Sequence, residues 1–157
     1  MPEQPNVDSA VLRRLLTSQH LAVLATAQDG IPYTSLVAFV ASDDLRQLAF
    51  VTSRATTKYR NMVETPGVSL LIDSRTHSVE DFTDAAAVTV LGRATEVDEA
   101  QAPGLLAGFL GKHPYLGSFV QAPTTALCAV KVETYTLVTR FQQVVEMKVG
   151  EWSSSNP

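Results

Sequence analysis

The sequence predicts a mainly β protein, in which six or seven mostly antiparallel strands and a few short helices form a small barrel. Apolar, β-compatible runs recur along the chain, and short clusters of turn residues separate them. The length of 157 residues suits one domain with a sizeable core. We therefore expect a single domain over residues 1–157, with a polar tail from about residue 150.

The strands are justified by their composition and by the turns between them. Gln28-Asp29-Gly30 is a turn signal that predicts a hairpin between the first two strands, and Ser42-Asp43-Asp44 predicts the next turn. Gly92, inside a long apolar strand, indicates a bulge or a close backbone approach. The predicted strands cover residues 21–26, 31–40, 47–52, 68–72, 86–97, 126–139 and 142–149.

Three helical segments lie between or before these strands. Asp8 is placed to cap the first, whose leucines share one face. The second begins at Thr56 and runs to Glu64, because Pro66 prevents its extension. The third is a broken helical region that follows Asp98 and ends at His113.

Composition and charge exclude several classes of function. A net charge of -4 argues against nucleic acid as the partner. The single cysteine, Cys128, excludes an internal disulfide, and its apolar surroundings predict a core residue. The three histidines are too scattered to predict a metal site. The N-terminus does not resemble a signal peptide and no apolar run approaches the ~20 residues of a membrane span, so we expect a soluble, cytoplasmic protein.

The segment from Val51 to Asn61 is the most informative in the chain. It contains three basic residues and four Ser or Thr hydroxyls but no acid, although the whole chain is acidic. A helix N-terminus carries free N–H groups and partial positive charge, so Lys58 in the first turn faces like charge. An anion between Lys58 and the helix end resolves this conflict. The residues thus favour a phosphate site, and the alternative is a helix with a solvated basic face.

With this order of elements in place, the chain resembles the pyridoxamine 5′-phosphate oxidase-like family of FMN-binding split barrels. The resemblance runs from Leu21 to Val97 and more loosely to Met147. Four stretches carry it: Gly30-Ile31-Pro32-Tyr33-Thr34-Ser35-Leu36-Val37, Phe50-Val51-Thr52, Thr56-Thr57-Lys58 and Thr65-Pro66-Gly67-Val68-Ser69-Leu70-Leu71.

The resemblance implies a cofactor, a set of site residues and an assembly. It implies FMN, bound in a groove between the two protomers of a homodimer, in a flavoprotein that acts as an oxidoreductase on a small-molecule redox partner. The isoalloxazine ring carries the redox step, so acidic or nucleophilic side chains are not required for it. No catalytic residue is therefore predicted. The cofactor-binding residues that it implies are Ser35, Leu36, Val37, Val51, Thr52, Thr56, Thr57, Lys58 and Arg75.

The departures from the family pattern bear on the substrate. Ser35 and Thr57 stand where the named oxidases have arginines, Val40 where they have a lysine, and Ala87 where they have a glutamine. Oxidation of pyridoxamine phosphate itself is therefore not expected. Arg54 or Arg75 is then the expected source of a second positive charge, and the alternative for Arg75 is a surface pair with Glu80 or Asp81.

Other interpretations remain open. The segments Gly111–Tyr115 and Val138–Phe141 look like segments of haem-utilising relatives, although the chain stops at Pro157 without a histidine-bearing extension. A deazaflavin cofactor and a cofactor-free binding barrel are further alternatives. Trp152, alone in a polar tail, is interpreted either as an anchor that reaches a partner protomer or as part of a disordered tail.

Overall fold

The computed structural model describes residues 6–140 and 142–153. Its strands are β1 (Leu21–Gln28), β2 (Ile31–Ala41), β3 (Gln47–Ser53), β4 (Gly67–Asp73), β5 (Ala87–Glu96), β6 (Thr125–Thr139) and β7 (Gln143–Lys148). They form one antiparallel sheet in the order β3-β2-β1-β4-β5-β6-β7, and β3 also pairs with β6. This last pairing closes six strands into a barrel and leaves β7 as an extension, which confirms the predicted split barrel.

Within residues 6–140 and 142–153, five α-helices accompany the barrel: α1 (Val7–Ser18), α2 (Thr57–Glu64), α3 (Asp81–Asp84), α4 (Leu105–Lys112) and α5 (Gly117–Gln121). The predicted cap of α1 is wrong by two residues, because Asn6 Oδ1 accepts the Asp8 N–H at 3.2 Å. Asp98 caps only a turn, through the Gln101 N–H at 2.7 Å. No described helix is both long enough and apolar enough to cross a membrane.

The barrel core follows from the alternation of side chains along each strand. In β1, for example, Ala22, Leu24 and Thr26 are buried while their neighbours are more exposed. Cys128 on β6 is buried in the same core, and burial raises the pKa of its thiol to about 12. Cys128 is therefore a packed core residue, as the sequence predicts.

Two glycines have the roles that their positions demand. Asp29 and Gly30 both have positive φ, at 51° and 77°, and close the tight hairpin between β1 and β2. Gly92 lies at the register shift between β5 and β6, so the predicted bulge is confirmed. A Cβ at Gly92 would overlap the Lys131 carbonyl oxygen and lie 2.8 Å from Cγ1 of Val130.

The C-terminal segment folds back on the chain's own barrel. The Trp152 indole stacks on Tyr135 with ring centroids 5.9 Å apart, and the Arg46 guanidinium lies over the same indole. Arg46 also donates to the carbonyl oxygens of Val149, Trp152 and Ser153. Trp152 therefore packs on its own protomer and is not part of a disordered tail, whereas its contact with a partner protomer stays a prediction. Residues 154–157 of the tail lie outside the described residues.

Candidate functional site: the N-terminus of helix α2

The barrel wall is open where the implied site residues lie. Strands β2 and β3 pair only over a short ladder, in which residues 39–41 of β2 face residues 48–50 of β3. Strand β3 pairs with β6 along its whole length. The first half of β2 and the end of β3 are thus separated from each other. Helix α2 packs against β1, β2 and β5 at this opening. Ser35, Leu36 and Val37 lie on the β2 side, and Val51 and Thr52 lie on the β3 side.

The N-terminus of α2 is capped by a network of hydroxyls. The Thr56 side chain accepts the Tyr59 N–H at 3.4 Å and donates to the Ser53 carbonyl oxygen at 2.8 Å. The buried Thr52 hydroxyl lies 3.1 Å from the Thr56 hydroxyl. Two residues that the resemblance implies are thus in direct contact. Within the described residues, the backbone N–H groups of Thr57 and Lys58 have no hydrogen-bond partner.

The cations around this helix end differ in how they are engaged. Arg54 forms a two-pronged ion pair with Glu96 and also donates to the Pro123 carbonyl oxygen at 2.9 Å. It is therefore neutralised, and the expectation that it supplies a second positive charge is wrong. Lys58, by contrast, has no ion-pair or hydrogen-bond partner in the described part of the chain. The Arg60 guanidinium donates only to the Thr57 hydroxyl, at 3.3 Å, within the described residues.

The three implied residues on β2 have different environments. Leu36 is 67% exposed, whereas Val37 is buried in the core. The Ser35 hydroxyl is buried and has no hydrogen-bond partner in the described parts of the chain. Burial without a partner costs a hydroxyl about 1–3 kcal/mol, so Ser35 is suited to a partner that the chain itself does not supply.

A buried amide that the sequence analysis missed holds α2 in place. Asn61 is 2% exposed, and its Nδ2 donates to the buried Thr26 hydroxyl of β1 at 3.0 Å. The Asn61 Oδ1 has no partner among the described residues. The only signal in the sequence was a polar residue on the apolar side of a short helix. The end of α2 is held separately, because Gln28 of β1 donates to the Glu64 carboxylate at 2.7 Å.

The long loop after β4 is organised by its own acids. Arg75 Nε lies 3.0 Å from the Asp73 carboxylate, so it forms a surface pair, but with a different partner from the two acids proposed from the sequence. Asp81 instead accepts from the backbone N–H groups of Thr76, His77 and Ser78. The Arg75 side chain remains half exposed. Its contact with a cofactor stays a prediction.

The histidines do not form a metal or ligand cluster. No group of three or more potential metal ligands occurs among the described residues. His113 is completely buried; its Nε2 donates to the Phe39 carbonyl oxygen at 2.8 Å, and its Nδ1 lies 3.3 Å from the Tyr115 hydroxyl. Burial lowers the pKa of His113, which keeps the ring neutral. Both ring nitrogens are thus committed to the fold.

Comparison with known proteins agrees with this architecture. The sequence profile of the family described as pyridoxamine 5′-phosphate oxidase matches residues 9–138. No curated protein matches the chain at a significant level.

Three solved structures illustrate the range of similar folds. The haem-binding protein from Mycobacterium smegmatis has a TM-score of 0.81 at 17% identity, over 94% of this chain and 60% of that chain. The present chain thus spans less than two thirds of that protein. An FAD-binding protein from Mesorhizobium loti has a TM-score of 0.63 at 23% identity, over 82% of this chain and 90% of that one. The haem storage protein HutZ from Vibrio cholerae has a TM-score of 0.65 at 18% identity, over 83% of this chain and 93% of that one.

Proposed function

Because the chain belongs to the pyridoxamine 5′-phosphate oxidase family, we propose that it binds FMN with the phosphate at the N-terminus of α2. We propose further that it is an oxidoreductase acting with a small-molecule redox partner. One observation carries the proposal: among the residues that the structure describes, the ammonium of Lys58 has no partner, and it lies in a helical turn whose first N–H groups are also free.

The donor set at this helix end fits a phosphate monoester. Free N–H groups at a helix N-terminus attract an anion, and an ammonium adds a full positive charge. The Thr56 hydroxyl gives its proton to the Ser53 carbonyl oxygen and so shapes the helix end, 3.1 Å from the Thr52 hydroxyl. Ser35 of β2 holds a buried hydroxyl without a partner among the described residues. The Lys58 ammonium and the free N–H groups are donors, whereas the carboxylate of Glu96 is paired with Arg54. The local charge therefore suits a dianion.

The remaining residues of the set position the rest of the cofactor. Leu36 presents apolar surface outside the barrel, and burial fixes Val37 on β2 and Val51 on β3. When bound, FMN supplies the redox chemistry through its isoalloxazine ring. The role of the chain is to hold the phosphate, orient the ring along β2 and exclude water from one ring face.

We propose that the functional unit is a homodimer. Strand register places Leu36, Val23 and Leu71 in one row across β2, β1 and β4 on the outside of the barrel. Leu36 is 67% exposed and Leu71 is 39% exposed, and Leu91 on β5 is 47% exposed beside them. A second copy of the same face would cover this apolar row and enclose the cofactor, as a two-fold interface requires.

Haem binding is the second candidate, because two of the similar folds belong to haem proteins. The histidine in the segment that suggested haem, His113, has both ring nitrogens engaged by Phe39 and Tyr115. It would have to break these bonds to ligate iron. This observation favours FMN over haem.

An absorbance spectrum of the purified protein tests the proposal. We expect the two visible bands of an oxidised flavin, either as purified or after addition of FMN and removal of the excess. A Soret band would establish haem instead. A protein that binds neither FMN nor haem in titrations would contradict both candidates and leave a cofactor-free barrel.

A further inference from the structure

Glu96, the last residue of β5, contacts both sides of the turn that begins α2. Its carboxylate accepts from Nε and Nη2 of Arg54, which precedes the helix. It also accepts from the hydroxyl of Tyr59, which lies in the first helical turn. Arg54 is further fixed by the Pro123 carbonyl oxygen at 2.9 Å. One carboxylate thus joins two residues that are five positions apart in the chain.

The residues between these two contacts are the ones that would hold the phosphate. Thr56, Thr57 and Lys58 lie between Arg54 and Tyr59, and none of the three contacts Glu96 in the described structure. Position and direction of a short turn are set by what holds its ends. Because β5 is part of the closed barrel, Glu96 connects this turn to the rigid part of the fold.

The charges of this cluster are consistent with such a role. A carboxylate near a phosphate site is repulsive unless a cation neutralises it. The hydrogen bonds from Arg54 are the main reason that the pKa of Glu96 lies below its usual value, so Glu96 is ionised at neutral pH. The ion pair has no net charge, which leaves the Lys58 ammonium as an uncompensated charge at the start of the helix.

We propose that Glu96 is a positioning residue for phosphate recognition: it clamps Arg54 and Tyr59 and so holds the intervening turn in its anion-binding conformation. This inference rests on the proposed FMN function, but it assigns a role to a residue that does not touch the cofactor. Two open clefts border Glu96, one of about 390 Å³ beside Arg54 and one of about 190 Å³ beside Tyr59. The Glu96 side chain is thus not packed on these two sides, and its hydrogen bonds to Arg54 and Tyr59 are what connect it to the turn.

The test compares Glu96→Ala with Glu96→Gln, and uses Glu133→Ala as the control. Glu133 is an exposed acid at the bulge of β6, so its removal changes the net charge equally. Affinity is measured for FMN and for riboflavin, which lacks the phosphate. Hydrogen exchange is measured at the amides of Tyr59 and Arg60, which Thr56 protects, and at the Thr65 amide, which Asn61 protects.

We expect Glu96→Ala to weaken FMN binding about tenfold, because it frees both ends of the turn, and to leave riboflavin affinity unchanged. Glu96→Gln keeps one acceptor oxygen and should recover part of the loss. The Tyr59 and Arg60 amides should exchange faster in Glu96→Ala, while the Thr65 amide exchanges at the wild-type rate. The Glu133→Ala control should match the wild type in both FMN affinity and amide exchange.

Other results would overturn the inference. Equal losses for FMN and riboflavin, with faster exchange at Thr65 as well, would mean that Glu96 only stabilises the fold. Unchanged exchange at Tyr59 and Arg60 would mean that Glu96 does not hold the turn. A wild-type protein that does not bind FMN would refute the proposed function, and the exchange experiment would still decide whether the clamp exists.

Discussion

The ammonium nitrogen of Lys112 lies 3.9 Å from the centroid of the Phe39 ring, at the point where α4 meets β2. The same nitrogen donates to the Leu16 carbonyl oxygen at 2.9 Å, near the C-terminal end of α1. One lysine thus connects two helices and the barrel. The face of an aromatic ring and the carbonyl end of a helix both attract a cation, which partly offsets the cost of burying it.

Lys112 makes stability depend on pH in the alkaline range. Burial lowers its pKa from 10.5 to about 8. Between these values the unfolded chain binds more protons at this site than the folded one, so its contribution to the free energy of unfolding rises with pH. We expect the unfolding free energy of the wild type minus that of Lys112→Met to rise from about pH 8 towards 10.5. Urea denaturation measures both free energies.

The exposed Lys131, changed to Met in the same way, controls for the loss of a lysine as such. A difference between wild type and Lys112→Met that stays flat or falls over this pH range would contradict the depressed pKa.

An added methyl group at Gly92 should destabilise the barrel. A Cβ there would overlap the Lys131 carbonyl oxygen, and backbone cannot yield as a flexible side chain does. We expect Gly92→Ala to lower the free energy of unfolding by about 2–3 kcal/mol. Gly111→Ala is the matched control: a Cβ there meets nothing within 4 Å, and alanine favours the helix by about 0.5 kcal/mol. Equal stabilities of the two variants would refute the close approach.

Lys58→Ala tests the phosphate site directly. A charge-assisted contact to phosphate contributes about 1.5–3 kcal/mol, so FMN affinity should fall roughly 10- to 150-fold. Arg60→Ala removes an equal charge about half a turn further along the helix and should have a smaller effect. Fluorescence titration with FMN measures both. An unchanged affinity in Lys58→Ala would show that the phosphate binds elsewhere.

Arg75→Ala tests the contribution of the long loop. The Arg75 Nε is engaged by Asp73 at 3.0 Å and the side chain is half exposed. We therefore expect FMN affinity to fall no more than about fivefold, as for other exposed charge contacts. Arg93→Ala, on the exposed side of β5, is the control. A loss as large as that of Lys58→Ala would make Arg75 a principal phosphate contact.

The dimer is tested by mass in solution. We expect light scattering at micromolar concentration to give twice the mass of one chain, with a buried interface of more than ~2,000 Å². Leu71→Glu places a charge in the apolar row and should yield a monomer that loses FMN. Val7→Glu, at an exposed position that starts α1, should remain dimeric. A wild-type monomer that retains FMN would rule out a site shared by two protomers.

Local features of the sequence determined most of the secondary structure. All seven strands, the Asp29-Gly30 turn and the bulge at Gly92 follow from patterns that span a few residues. The start of α2 at Thr56 and its end before Pro66 are equally local, since capping and proline act within one helical turn. The same segment revealed Lys58 as a cation in need of an anion, because charge and hydroxyl content are visible without coordinates.

Only the tertiary structure decided which charges and rings meet. Arg54 is neutralised by Glu96, 42 residues away in the chain, and Trp152 stacks on Tyr135 of its own barrel. His113 finds its partner in the carbonyl oxygen of Phe39, across the packing of α4 on β2. Such contacts depend on strand register and on how helices cross the barrel, and these are set by the whole core at once. The residue type determines which charges and hydrogen bonds a side chain can offer. Its neighbours in the fold determine whether those groups are already paired within the chain.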